Sequence, residues 1–267
     1  MSMILDEIVA YTYKRIEKEK KTVPLSRMAE EAEKLVLAEG SFSYNFEKKL
    51  KRPEMSFICE VKKASPSKGI IAKDFSYVQI SQEYQKAGAD AISVLTEPKY
   101  FQGADEYLKE ISRQTQLPTL RKDFVVDEYM IYQAKLLGAS AVLLICAILN
   151  REKLQKYIAL AETLGLSALV ETHSADEIAA AKDAGAHIIG INNRDLQTFQ
   201  VNLENSVRLR KFIPKGIICV SESGITTARD ISRLKECEVD AVLIGETLMR
   251  CEDKFAMLAQ LKGIKNG

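Results

Sequence analysis

Eight short runs of the chain are apolar at nearly every position: SFICEV near residue 58, AISVL at 91, LPTL at 117, AVLLIC at 141, SALVE at 167, IIGIN at 188, IICVS at 217 and AVLIG at 241. A strand with one wet face would alternate, so continuous apolarity predicts strands buried on both faces of a parallel sheet. Between the runs lie amphipathic helical stretches such as SYVQISQEYQKAG and NREKLQKYIALAETLG. The order is strand then helix throughout.

Strands two, four and six are each preceded by one tetrad: AGAD (87–90), LGAS (137–140) and AGAH (184–187), with a worn version, CEVD, before strand eight. The glycine suits the left-handed position that ends a helix, which a residue with a Cβ resists. Because the tetrad marks alternate strands, the repeat unit is two βα pairs used four times, and four such units predict a closed (β/α)8 (TIM) barrel. An open doubly wound sheet would carry G-x-G-x-x-G after its first strand, and KKASPSKG is not that. The reading is one barrel domain over residues 1–267, with residues 1–45 as a helical N-terminal extension. In that extension, Ile4, Ile8, Tyr11 and Ile16 form the apolar side of a helix from about Ile4 to Lys21, and a second helix runs from Leu25 to Ala38 after Pro24.

A length of 267 residues suits a single such barrel, and 46% hydrophobic with 28% charged residues is an ordinary globular composition. The formal net charge of +1 argues against a nucleic-acid or membrane-surface partner, which would need clustered cations. KRIEKEKK (14–21) reads as the solvated face of a helix. Five cysteines without C-x-x-C spacing are expected to be reduced core thiols, and no run reaches the ~18–20 apolar residues of a membrane span, so a cytoplasmic location is expected.

In a (β/α)8 barrel the loops after the strands carry the chemistry. Side chains alternate along a strand, so Glu60 pairs in parity with Lys62, Leu120 with Lys122, Leu169 with Glu171 and Gly190 with Asn192. If the apolar members point into the barrel, two lysines, two glutamates and an asparagine converge on its mouth. The bland alternatives are solvated strand ends, or a buried Glu60–Lys62 ion pair. After strands seven and eight, SESGIT (221–226) and IGET (244–247) place glycines at strand-to-helix turns, where free N–H groups bind an anion. Ser65-Pro66-Ser67, after strand one, reads either as a source of hydroxyls for the same anion or as a turn. His173 precedes Ser174 and Glu177, which have capping-box spacing, so a loop role is expected; His187 starts a strand at the far end of the barrel. Two distant histidines and no cysteine cluster make a zinc site improbable.

On these strands and in this order, CEVKKASPSKG, LRKDF, LVET, GINNRDL, SESGI and IGETLMR resemble indole-3-glycerol-phosphate synthases of tryptophan biosynthesis, over essentially the whole chain. The resemblance implies a carboxy-lyase that closes 1-(2-carboxyphenylamino)-1-deoxyribulose 5-phosphate to an indole without cofactor or metal, and a monomer whose partner is that phosphorylated small molecule. It implies a catalytic set of Glu60, Lys62, Lys122, Glu171, Asn192 and Ser223. Lys122 would be the acid for ring closure and Glu171 the base, with Lys62 on the substrate carboxylate. Nearby Lys62 and partial desolvation are expected to depress the Lys122 pKa. The phosphate falls to Ser65 and to backbone N–H groups around Glu222, Ser223, Gly224, Gly245 and Glu246, the Glu246 carboxylate turning away. Phe101, Phe124, Leu143 and Ile145 are expected at the aromatic end, and Arg194 with Asp195 as a loop-fixing pair, with Arg194 in reach of the site. Two competing readings keep the barrel: an aldolase with Lys122 as Schiff-base nucleophile, and a non-catalytic phosphosugar-binding module.

Overall fold

Each of the eight apolar runs forms a strand of one closed, all-parallel sheet: β1 (Ser56–Val61), β2 (Ala91–Leu95), β3 (Thr119–Lys122), β4 (Ala141–Ile145), β5 (Ser167–Thr172), β6 (Ile188–Asn192), β7 (Ile218–Glu222) and β8 (Ala241–Ile244). Neighbours in sequence are neighbours in the barrel, and β8 closes onto β1. The structure is a computed structural model and describes residues 3–40, 42 and 44–264. The expected third strand is displaced two residues. Pro118 has no N–H to give a ladder, so β3 begins after it and Arg121 and Lys122 belong to the strand itself.

The helices are α1 (Met3–Thr22), α2 (Leu25–Glu39), α3 (Asn45–Leu50), α4 (Tyr77–Lys86), α5 (Asp105–Gln114), α6 (Tyr129–Leu136), α7 (Arg151–Thr163), α8 (Ala175–Asp183), α9 (Glu204–Leu209), α10 (Ala228–Glu236), α11 (Glu246–Arg250) and α12 (Lys254–Leu261). Gly88, Gly138 and Gly185 take the expected left-handed conformation, with φ of 82°, 83° and 89°. In the worn tetrad Glu238 adopts φ 58°, so the turn is conserved in shape even where glycine is absent, at ~1 kcal/mol of backbone strain.

Two layers of apolar side chains follow from the alternation. Ile58, Leu120, Leu143, Leu169, Ile188, Val220 and Leu243 fill the barrel interior, while Cys59, Val94, Val142, Val170, Ile189, Cys219 and Val242 pack outward against the helices. The short helix α3, absent from the sequence reading, buries Phe46 and Leu50 completely in the interior cluster and plugs one end of the barrel.

Helix α1 buries Ile8 and Ile16 as expected, with Leu5 and Thr12 in place of their neighbours Ile4 and Tyr11, which are half-buried at the border of the stripe. Its cations also correct the expectation of a solvated face. Arg15 donates to the buried Asp123 at 2.8 Å and Lys20 to Asp127 at 2.8 Å, which fasten α1 to the segment just after β3. All five cysteines are free thiols, with Cys59 and Cys219 buried. Among the described residues no helix is long and apolar enough to cross a membrane.

Candidate active site

The alternation that fills the interior with Leu120, Leu169 and Val220 carries Lys122, Glu171 and Glu222 onto the same inward face two residues later, at the C-terminal mouth. Strand register sets them side by side: Ile145 lies opposite Glu171, Glu171 opposite Gly190, and Asn192 opposite Glu222. Lys122 Nζ donates to Glu171 Oε2 at 3.1 Å and stands 3.5 Å from Glu222 Oε2. Asn192 Nδ2 donates to the other Glu171 oxygen at 3.2 Å, and Lys62 pairs with Glu60. Glu60, Glu171, Glu222 and Asn192 are all buried.

Two glycines make room for this cluster. A Cβ on Gly190 would overlap Glu222 Oε1, and one on Gly245 would overlap Glu60 Oε2 and stand 2.8 Å from Lys62 Nζ. Neither position tolerates a side chain while the carboxyls stay where they are.

Glu222 corrects the sequence reading most. Expected at the anion through its N–H, it sends its carboxyl into the lysine–carboxylate cluster, where Oε1 has no hydrogen-bond partner. Burial, reinforced by the charges of Glu171 and Glu60 and opposed by Lys122, pushes it up to about 7. Glu171 goes the other way. Burial would raise it, but Lys122, His173 and the Asn192 amide hold it below the usual carboxylate range. Two carboxyls sharing one lysine are thus separated into an ionised group and one that titrates near neutrality.

Lys122 also reverses its expectation. Burial pulls its pKa down, but Glu171, Glu222 and Glu60 outweigh that and raise it above the ordinary lysine value. The near neighbours of Nζ are carboxylates, and Lys62 is occupied by Glu60. The ammonium is therefore fully protonated at neutral pH.

His173, expected to serve only the loop, stands with its ring nitrogens 3.6 Å from Glu171 and 3.4 Å from Glu177. Burial would lower its pKa, but Glu177 and Glu171 outweigh that and raise it, so protonation of His173 and ionisation of Glu171 favour each other. Ser174 caps α8 as expected, while Glu177 reaches back to the N–H of His173 instead of the cap residue.

A cavity of ≈ 870 Å³ opens over the cluster. One wall holds Phe101, Phe124, Leu143 and Ile145, with the two phenyl rings 6.0 Å apart, and Ile4, Leu5 and Ile8 of α1 join the lining. Ser65, Ser223, Gly224, Gly245 and Glu246, from the loops after β1, β7 and β8, form a second wall. Ser223 and Gly224 adopt consecutive positive φ of 71° and 82°, and Asn193 Nδ2 holds the Ser223 carbonyl at 3.0 Å. The Glu246 carboxyl is taken up by Arg250 at 3.0 Å and Lys68 at 3.7 Å. These two cations, passed over in the sequence, line the same wall; the spacing of Glu246 and Arg250, four apart on a helix, was the available signal. Arg194 donates to the Phe199 carbonyl at 3.2 Å, and Asp195 accepts from Gln197 and Thr198, so both fix their loop while Arg194 also faces the cavity. His187 lies away from the cavity, exposed near Glu47 and Glu162.

The indole-3-glycerol phosphate synthase family profile matches residues 5–261. The chain belongs to the indole-3-glycerol phosphate synthase family. It is 53% identical over 261 residues to the indole-3-glycerol phosphate synthase of Ruminiclostridium cellulolyticum, covering 98% of this chain and 99% of that protein. To the synthase of Lachnoclostridium phytofermentans it is 48% identical, covering 98% of this chain and all of that protein. Among solved structures, 3-hexulose-6-phosphate synthase from Salmonella typhimurium superposes with a TM-score of 0.65 at 13% identity, over 79% of this chain and 98% of that one. Thiamine phosphate pyrophosphorylase from Pyrococcus furiosus gives 0.61 at 18% identity, over 82% and 97%. Those two likenesses concern the barrel alone, whereas membership of the synthase family bears on the mouth of the barrel, where the quoted motifs lie.

Proposed function

We propose that the chain is the decarboxylating cyclase of tryptophan biosynthesis, converting 1-(2-carboxyphenylamino)-1-deoxyribulose 5-phosphate to indole-3-glycerol phosphate with loss of carbon dioxide and water, by general acid and base catalysis. The observation that carries this reading is a protonated lysine between two buried carboxyls, with an apolar wall on one side and glycine turns on the other.

The substrate's three parts match those surroundings. Its phosphate is assigned to the wall of Ser65, Ser223, Gly224, Gly245 and Glu246, through hydroxyl and N–H groups and the cations Lys68 and Arg250. Its aromatic ring is assigned to Phe101, Phe124, Leu143 and Ile145. Between them the ring carbon that bears the carboxylate attacks the ketone, and a carbon–carbon bond forms as the ketone oxygen takes a proton from Lys122. The bond to the carboxylate then breaks, carbon dioxide leaves with restoration of the aromatic ring, and the hydroxyl remains on the new five-membered ring. That hydroxyl departs as water with a proton from an ammonium, for which Lys62 stands ready, while Glu171 removes the balancing proton and the indole double bond forms. Glu60 orients Lys62, and Asn192 orients Glu171.

An aldolase-type lysine must be neutral to attack a carbonyl. The carboxyls that keep Lys122 protonated work against that chemistry. The chain contains no Trp, so indole product is visible by its own fluorescence over little protein background. Lys122→Ala and Glu171→Gln are each expected to lower kcat by about 10³-fold, in the middle of the range of acid–base contributions, with the circular dichroism spectrum unchanged. A Lys122→Ala enzyme of normal turnover would remove the acid assignment, and borohydride capture of substrate on Lys122 would favour the aldolase.

A further inference from the structure

Immediately after β2 the chain reads Thr96, Glu97, Pro98, Lys99, Tyr100, Phe101, Gln102, Gly103. Glu97 is completely buried, yet among the described residues no Lys, Arg or His pairs with it. Its carboxyl is satisfied by main chain instead: Oε1 accepts the N–H of Lys99 at 3.0 Å, and Oε2 accepts those of Tyr100 at 2.7 Å and Phe101 at 2.9 Å. The Glu97 carbonyl also accepts the N–H of Gly103 at 2.8 Å, closing the loop on itself. A buried carboxyl wrapped by three consecutive N–H groups dictates the path of those residues, because any other path leaves it unsolvated and unpaired.

What the loop carries gives this anchor a purpose. Phe101 presents its ring to Phe124 on the cavity wall, and its carbonyl accepts the N–H of Ala64 at 3.3 Å, next to Ser65. Tyr100 turns to the other side and meets Tyr11 of α1 edge-on, with ring centres 6.2 Å apart. Consecutive aromatic residues must therefore face opposite ways, one to the site and one to α1. The loop reaches that shape through Gln102 at φ 51° and a Gly103 pressed so close to β2 that a Cβ would stand 2.7 Å from the Leu95 carbonyl carbon.

We propose that Glu97 is a positioning residue of the site: its buried carboxyl fixes the loop so that Phe101 is held as a rigid wall for the aromatic half of the substrate. The proposal rests on the assignment of Phe101 to the aromatic ring. Glu97 touches no reacting atom. In Glu97→Gln, one carboxylate oxygen becomes an amide NH2 that confronts backbone N–H groups, so either Lys99 or the Tyr100–Phe101 pair loses its acceptor.

The test is a double-mutant cycle on steady-state turnover. Glu97→Gln is expected to raise KM about ten-fold with kcat within about three-fold, the loss of a hydrogen bond to a charged group acting on binding and not on chemistry. Inhibition by inorganic phosphate, a probe of the glycine turns after β7 and β8, should move by less than about two-fold. In a Phe101→Ala background the same substitution should add less than about two-fold to KM, because residues that act as one unit are not additive. Glu97→Asp, which keeps the charge but is shorter by one methylene, should fall between wild type and Glu97→Gln, and serves if Glu97→Gln does not fold. An unchanged KM, a full additional effect in the Phe101→Ala background, or parallel losses in kcat and phosphate inhibition would each overturn the proposal. If the unmodified protein makes no indole product, the proposed function fails first, and the cycle is then read on binding of anthranilate, followed by its own fluorescence.

Discussion

Replacing Glu222 with Gln should make the protein more stable at pH 8 and leave it nearly unchanged at pH 5. The carboxyl is 2% exposed, one of its oxygens lacks a partner, and Glu171 and Glu60 crowd it, so its value rises from 4.5 to about 7. The sign follows from proton binding. Between 4.5 and about 7 the folded protein holds a proton that the unfolded chain has lost, so this group's contribution is full below 4.5 and disappears as pH rises through about 7. At 1.36 kcal/mol per pH unit, ionising Glu222 in the folded state costs ~3 kcal/mol by pH 8, and ~2–3 kcal/mol of that accrues between pH 5 and 8. A neutral amide of the same shape removes the whole dependence, and its NH2 finds acceptors in the neighbouring carboxylates. The assay is urea or thermal unfolding of both proteins at the two pH values, read by circular dichroism. The difference between variant and wild type should grow by ~2–3 kcal/mol from pH 5 to pH 8, or roughly 5 °C in Tm for a chain of this size. A difference that does not change with pH, or a variant less stable at both, would show that Glu222 is ionised throughout and that the charge balance around Lys122 is misread.

The same titration should appear in catalysis. With Lys122 raised and Glu171 lowered, neither sets a limb of kcat/KM near neutrality, so an inflection near pH 7 in wild type that vanishes in Glu222→Gln and persists in His173→Asn would belong to Glu222. A profile identical in wild type and Glu222→Gln would refute that. Gly245→Ala forces a methyl group against Glu60 and Lys62, and should lower kcat/KM by about 10²-fold, the effect of misplacing a group by about 1 Å, with the fold intact by circular dichroism. Arg15→Ala leaves Asp123 with Arg121 and Thr96 as partners and should destabilise by ~2–3 kcal/mol, measured by urea unfolding. It should also lower kcat about three- to ten-fold, because Asp123 adjoins Lys122. A stable, fully active Arg15→Ala would show that α1 is held by its apolar stripe alone.

The local code carried a long way here. Hydrophobic runs without alternation specified parallel strands, and tetrads with a glycine end predicted the left-handed turns that Gly88, Gly138 and Gly185 adopt. Parity along a strand specified which charged side chains point inward, because a pleated backbone leaves each residue only two directions. Parity also holds the signal for Glu222, two residues after Val220: the motif whose N–H groups suit an anion points that side chain inward. The rest depended on groups distant in sequence. Arg15 reads as one more solvated helix cation until α1 lies beside Asp123, 108 residues away. Glu97 belongs to none of the motifs read from the sequence; only in the fold does burial leave its carboxyl, among the described residues, with three backbone donors. The direction of the Lys122 shift has the same origin: Lys62, the cation expected to depress it, is taken up by Glu60, and the carboxyls of Glu171, Glu222 and Glu60 outweigh burial. Pattern along the chain determined the elements and their faces, since those rest on the periods of the backbone. Tertiary structure alone decided pairing, burial and proton affinity, since each depends on which distant groups replace water.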